Sequence, residues 1–391
     1  MSHSEHQHER RISRDDFARV VMDRLHQTNA TATVNYDREH FCLRGDADHV
    51  FNLGELYKAY CATDGESRTT LISDIARMWF RQDYTLPKEF ADAAHDLMPY
   101  VHVRGFYETH AGYWPYQVLG EHFGVALAYE RLESRQLVTQ ADLDTWGMSL
   151  AEALETAKEN LRRLPANIAR PTTGEGAWWM MTGDERSSSY LLLTDVVGQL
   201  DVRGDTVVMV PNRDTLFIAG SDDNAALAQM VRIAMAAATQ LRPISGIALR
   251  LDGDEWKPWL PAESHPLYRG FKELQLRSIE VAYDAQQELL EENTDDIFVA
   301  PFLFARRPDG TTTSVTVWPV VGESMLPKAE VIAFKRHGTG PASMISVTWQ
   351  GAASVVGNLM ESLDMYPPRY RVRTFPTEEQ LAWMLSEHRV E

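Results

Sequence analysis

The chain has only two cysteines in 391 residues, Cys42 and Cys61. Two thiols do not make a disulfide framework, which points to a reducing compartment. No apolar run approaches the roughly 20 residues that span a bilayer. Met1 to Arg11 are polar and His-rich, without the apolar stretch of a secretory signal. Positive charge is scarce: 38 Lys plus Arg face 56 Asp plus Glu, a formal net charge of −18. Such a surface repels nucleic-acid phosphate and anionic lipid. No fixed-period repeat is visible, which excludes a solenoid. These absences predict a soluble, cytoplasmic protein with no membrane partner, and they argue against nucleic acid.

What the sequence has is apolar and aromatic. Hydrophobic residues make up 44% of it, with 10 Trp, 14 Tyr and 14 Phe. That composition excludes a disordered chain and supports two or three domains. Charge is segregated along it. Residues 300–391 carry nine Lys plus Arg and nine Asp plus Glu, so the whole excess lies in 1–299. Only the C-terminal part tolerates an acidic partner.

The chain is organised around 205–221. Val207 to Val210 and Leu216 to Ala219 flank a Pro-Asn-Arg-Asp turn. Two unbroken apolar runs about turn residues predict a hairpin covered on both faces. Ser221 reads as the N-cap of the helix that follows, with Asp222 and Asp223 in its first turn. Upstream, Leu143, Leu150, Leu154, Leu161 and Leu164 predict one long amphipathic helix ended by Pro165. Downstream, Pro258 and Pro261 mark a boundary. His265 to Asn293 then reads as a long helix. Ile297 to Ala305 and Thr313 to Val320 read as paired strands, and Tyr370 to Thr374 as another. The expected fold is α+β, with mixed sheets and flanking helices in two consecutive units. Residues 1–12 form a tail and 13–262 the first unit, with a subdivision near 136–140 left open. Residues 263–391 form the second.

Three segments resemble a known family. They are Leu161-Arg162-Arg163-Leu164-Pro165, Ser189-Tyr190-Leu191-Leu192 and Val210-Pro211-Asn212-Arg213-Asp214-Thr215-Leu216. In that order they look like the YtpQ-like family of uncharacterised bacterial proteins, over roughly residues 14–250. The resemblance implies a bacterial, cytoplasmic α+β protein. It implies no catalytic residue and leaves 263–391 without a role.

Chemistry-bearing patterns are few. Gly322-Glu323-Ser324-Met325-Leu326 lacks the second glycine of a nucleophile elbow. Gly338-Thr339-Gly340 lacks the lysine of a phosphate loop, and Pro341 removes an amide donor. Asp252, Asp254, Glu255 and Lys257 could serve a metal-dependent nuclease, or simply be a solvated hairpin edge. His102, His110 and His122 match no short zinc spacing, and His3, His6 and His8 lie in the tail. Asp195, Asp205, Asp214 and Arg213 gather around the hairpin, where turn and cap chemistry accounts for them equally well. No pattern calls for a cofactor, a metal or a named catalytic residue.

Two constellations suit binding. Tyr113, Trp114 and Tyr116, held by Pro115, form an aromatic patch. Arg369, Arg371 and Arg373 alternate, which puts all three on one strand face. That spacing predicts a contact surface for an acidic segment, and predicts that reversing all three to glutamate spares the melting temperature. The sequence therefore favours a non-catalytic protein-interaction module whose partner is another protein. The alternative is a metal-dependent hydrolase or nuclease with dispersed carboxylates.

Overall fold

The computed structural model describes residues 12–38, 40–45, 50–62, 65–80, 86–108, 113–131, 134–165, 168–169, 178–180, 186–238, 243–294, 296–307, 309–338 and 343–390. The chain is α+β, with mixed and antiparallel sheets and flanking helices. Residues 1–11 of the expected tail, with His3, His6 and His8, lie outside the described residues, as do His110 and the Thr339-Gly340-Pro341 loop; Ile12, expected in the tail, packs on the smaller unit and its carbonyl accepts from the Tyr57 hydroxyl at 2.7 Å.

Chain contacts divide the protein into a smaller unit, 1–87 with 131–136, and a larger one, 88–130 with 137–391. In the smaller unit, Ser13 caps the helix Arg14–Thr28 by accepting from the Asp16 N–H. That helix and Gly65–Phe80 bury Phe17, Val21, Leu25 and Ile75 with Leu43 and Phe51 of a three-stranded antiparallel sheet.

The larger unit is built on the hairpin. Strands Thr206–Asn212 and Thr215–Gly220 sit in the middle of a six-stranded antiparallel sheet. Val207 to Val210 are fully buried, as the unbroken apolar run predicts. Gly220 is required at the hairpin's end, because a Cβ there would stand 2.0 Å from the Arg203 carbonyl oxygen. The helix that follows is Asn224–Ala237, and its N-cap is Asp223 rather than Ser221. Ser221 instead holds the chain crossing at Asp205, whose N–H it accepts at 2.9 Å.

The boundary read from Pro258 and Pro261 is not where the structure divides. Helix Tyr268–Asn293 buries Phe271 and Leu274 in the same core as Val207, Met209, Phe217 and Leu227. The prolines end a strand without ending the core. The expected long helix over 143–164 is two helices, Gln140–Trp146 and Leu150–Arg163. Gly147 takes the left-handed conformation that closes the first, and a Ser149/Glu152 capping box opens the second. Two apolar stripes in near-register had read as one.

The C-terminal part carries two four-stranded sheets. In one, Ile297–Val299 runs parallel to Glu323–Pro327, which pairs antiparallel with Arg369–Val372, which pairs with Glu361–Ser362. In the other the order is Leu303–Arg306, Thr312–Pro319, Val331–Lys335 and Met344–Thr348. The run 297–305, expected as one strand, thus supplies a strand to each sheet. Trp318, Ile332, Phe334, Leu326 and Val372 form the core beneath helices Trp349–Val356 and Glu378–His388.

Candidate functional site

The three arginines separate along their strand. Arg369 lies opposite Pro327 and Arg371 opposite Met325, alternate positions of one register. The face they share runs under helix Tyr268–Asn293. Arg369 is fully buried there. Its Nε donates to Gln286 Oε1 at 2.6 Å. Its Nη1 donates to the Ala300 and Met325 carbonyls at 2.7 and 3.0 Å. The guanidinium lies 5.3 Å from the centre of the Tyr283 ring. Burial pulls its pKa down to about 10, so it stays charged at neutral pH. Among the described residues its Nη2 has no hydrogen-bond partner.

Toward the open end exposure rises. The Arg371 side chain keeps 31% of its surface and Arg373, one residue past the strand, 55%. Arg371 donates to Glu323, and Arg373 donates to Glu361 at 2.7 Å and reaches Glu323 at 3.2 Å. The expectation of one three-arginine surface is thus corrected: period two set the register, but a covering helix decided which side chain meets water.

The two outer arginines line a depression of about 290 Å³ with Asn358, Leu359, Met360, Glu361 and Thr374. A second depression, about 410 Å³, is lined by Val320, Arg336, His337, Gly338, Ser343, Phe375 and Glu378. Arg336 Nη1 and Glu378 Oε2 stand 3.5 Å apart across it, and the Glu378 side chain is 81% exposed.

The aromatic patch is mostly a packed wall. Trp114 stacks on Phe106, centroids 5.4 Å apart, and Tyr116 on Tyr107 at 4.9 Å. Only Tyr113 of the three is freely exposed, at 62%. The Tyr116 hydroxyl donates to Glu108 at 2.5 Å, and Arg104 Nε donates to the same oxygen at 2.9 Å. The Arg104 guanidinium also lies 4.7 Å from the centre of the Tyr366 ring, whose hydroxyl shares a 2.7 Å hydrogen bond with His122 Nδ1. Next along the chain, Gln286 Nε2 donates to the Pro367 carbonyl at 2.9 Å and the Tyr283 hydroxyl to that of Pro368 at 2.7 Å. These bonds stitch segment 366–369 to elements more than eighty residues away in sequence. Their donors and acceptors are committed to one another, so the arrangement is a structural tie.

Two histidines of this region are strongly perturbed. Burial, then the charge of Arg213, lowers His102 to about 3, and burial, then Arg104, lowers His122 to about 4. Each ring keeps some exposed surface. In the unfolded chain both titrate near 6.5. From about pH 6.5 down to about 4 for His122 and about 3 for His102, the unfolded chain therefore takes up protons that the folded chain refuses. The stability these groups contribute is complete above that window and falls with pH by at most about 1.4 kcal/mol per unit per group. Urea titrations at pH 7.5 and 5.0 should show the loss. His122→Gln, which keeps a polar partner for Tyr366, should lower its slope. An identical pH slope in the variant would show that His122 does not titrate on unfolding.

Other candidates disperse. Asp195 pairs with Arg162 at 2.5 Å, Asp205 with Arg250 at 3.3 Å, and Arg213 lies over the Tyr100 ring. Lys257 binds Asp252 at 2.5 Å on an exposed hairpin end, while Trp256 between them is buried and donates to the Leu191 carbonyl at 2.7 Å. Ser324 is a buried strand residue, not an elbow nucleophile. Among the described residues no group of three or more His, Cys, Asp or Glu could hold a metal ion. The depressions beside 371–375 were missed in the sequence, because their walls come from separate places in the chain: 320, 336–338, 343, 358–361, 371, 373–375 and 378. No helix among the described residues is long and apolar enough to cross a membrane. Comparisons with protein-family models, with curated proteins and with solved structures return no match.

Proposed function

We propose that this chain is a non-catalytic protein-interaction module that binds another protein at the depression beside Arg371 and Arg373. One observation carries the reading. Two arginines, partly and largely exposed, line that open depression, and among the described residues their ion pairs are with Glu323, partly exposed, and Glu361, largely exposed. Exposed pairs of this kind contribute roughly 0–1 kcal/mol, so a partner's carboxylates can exchange with them at little cost. The depression lies in the one part of the chain whose charges balance. A cytoplasmic setting and a YtpQ-like identity for 14–250 belong to the same proposal, the latter carried by the 210–216 turn sequence.

The test reverses Arg371 and Arg373 together to glutamate and leaves Arg369 in place. The double variant should melt within a few degrees of wild type. Partner recovered from a lysate of the host should fall to background, and wild-type recovery should fall with added salt, because exposed charges are screened beyond about 8–10 Å. Equal recovery by both proteins at low salt would retire the reading.

A further inference from the structure

We infer that the outer face of helix Tyr268–Asn293 is a docking surface of its own, and that its occupant is a basic amphipathic helix of a partner protein. The inference does not depend on the depression beside Arg371 and Arg373. The helix has 26 residues and is about 39 Å long. One stripe along it, at steps of three and four, runs Phe271, Leu274, Ser278, Val281, Ala285 and Leu289. Phe271 and Leu274 lie in the core of the hairpin sheet, and the Ser278 hydroxyl accepts from the Gly246 N–H at 2.8 Å. Beyond Ser278 the same stripe is uncovered. Val281 is 69% exposed and Leu289 37%, and Ala285 between them is exposed as well. The other side of this half of the helix stays inside, where Tyr283 and Gln286 are buried over Arg369.

The charge beside the stripe argues for the occupant. Asp284, Glu288 and Glu292 form a second exposed row alongside it, four residues apart. Between Arg277 and Arg306 the chain has seven Asp and Glu and no Lys or Arg. Among the described residues none of these three carboxylates is in an ion pair. Loss of solvation, then the charges of Glu280 and Glu288, raises the Asp284 carboxyl. Glu291 and Glu292 stand in the last turn, at the negative end of the helix dipole, where no basic residue offsets them. Lysines or arginines flanking the apolar face of an apposed helix would relieve both costs. Its own apolar residues, at steps of three and four, would cover Val281, Ala285 and Leu289. A second copy of this helix would set the same carboxylates against one another, and anionic lipid would be repelled.

The probe is a labelled synthetic helix with leucines at steps of three and four and lysines beside them, with binding to the full chain followed by anisotropy. Wild type should bind, and added salt should weaken binding. Val281→Gln with Leu289→Gln should weaken it about tenfold or more, because the apolar contact is lost. Glu288→Gln with Glu292→Gln should weaken it several-fold and flatten the salt dependence. Asp254→Asn with Glu255→Gln, which removes the same charge from an exposed hairpin end, should leave binding unchanged. All three variants should melt within a few degrees of wild type, these side chains being exposed and glutamine a good helix former. If the probe binds the Val281→Gln, Leu289→Gln protein as it binds wild type, or the two acid pairs act alike, it reads only net charge and the inference falls. Sedimentation of the chain alone supplies the other arm. A dimer that Val281→Gln with Leu289→Gln abolishes would make the occupant a second copy and overturn the choice of a basic partner.

Discussion

Val208→Asp should yield no folded protein. Val208 is fully buried and pairs with Ile218 on one side and Leu249 on the other, in the middle of the six-stranded sheet. Apolar side chains cover both faces of this strand, so no rotation brings a carboxylate to water. Burying one without a partner costs several kcal/mol, and total stability is roughly 5–15 kcal/mol. Neutralising the group by raising its pKa limits the penalty without removing it. Val208→Ala, which leaves a cavity of two methyl groups, should fold with a loss of about 1–3 kcal/mol. Circular dichroism and urea titration of both variants decide the matter. A Val208→Asp protein with wild-type melting would place the hairpin at the periphery.

The second large effect is expected at Arg369. Arg369→Glu puts a carboxylate among the Gln286 side-chain oxygen and the carbonyls of Ala300 and Met325, all acceptors. Loss of the donor and the repulsion among these oxygens should abolish folding. Arg369→Met keeps volume and removes the charge, but takes the donor from the Gln286 and Ala300 oxygens, while the Met325 carbonyl keeps the Ala300 N–H at 3.0 Å. Each buried unsatisfied group costs about 1–3 kcal/mol, so the methionine variant should lose about 2 kcal/mol or more. Arg369→Lys keeps the charge and loses the fork, and should fall between methionine and wild type. Urea midpoints rank the three. If Arg369→Glu melts like wild type, its side chain faces water. This also explains why reversing all three arginines cannot test binding: the innermost substitution would destroy the structure that presents the other two.

Much of the fold was legible because local chemistry determines it. Unbroken apolar runs at 207–210 and 216–219 could only be a doubly covered hairpin, and their burial is complete. Ser13 caps a helix ahead of the apolar stripe Phe17, Val21 and Leu25, as a serine before such a stripe implies. Errors arose where two local signals competed. Gly147 and the Ser149/Glu152 box outweighed a continuous leucine stripe, because a left-handed residue and a satisfied cap end a helix whatever lies beyond. Pro301 lies between Ile297–Val299 and Leu303–Arg306, which the structure places in different sheets.

By itself the sequence determined the fold class, the central hairpin, and the alternate register of Arg369 and Arg371. Periodicity and turn chemistry act within a few residues, so a single chain segment contains them. Only the tertiary structure decided that helix Tyr268–Asn293 joins the core of the hairpin sheet, that Arg369 is interior while Arg373 is exposed, and that Thr374 and Phe375 divide two depressions. Those outcomes depend on which surface covers which, and the residues concerned lie apart in the chain, at Tyr283 and Gln286 for Arg369 and at Glu361 and Arg336 for the two depressions. Burial is a property of neighbours, and strand spacing carries no information about them.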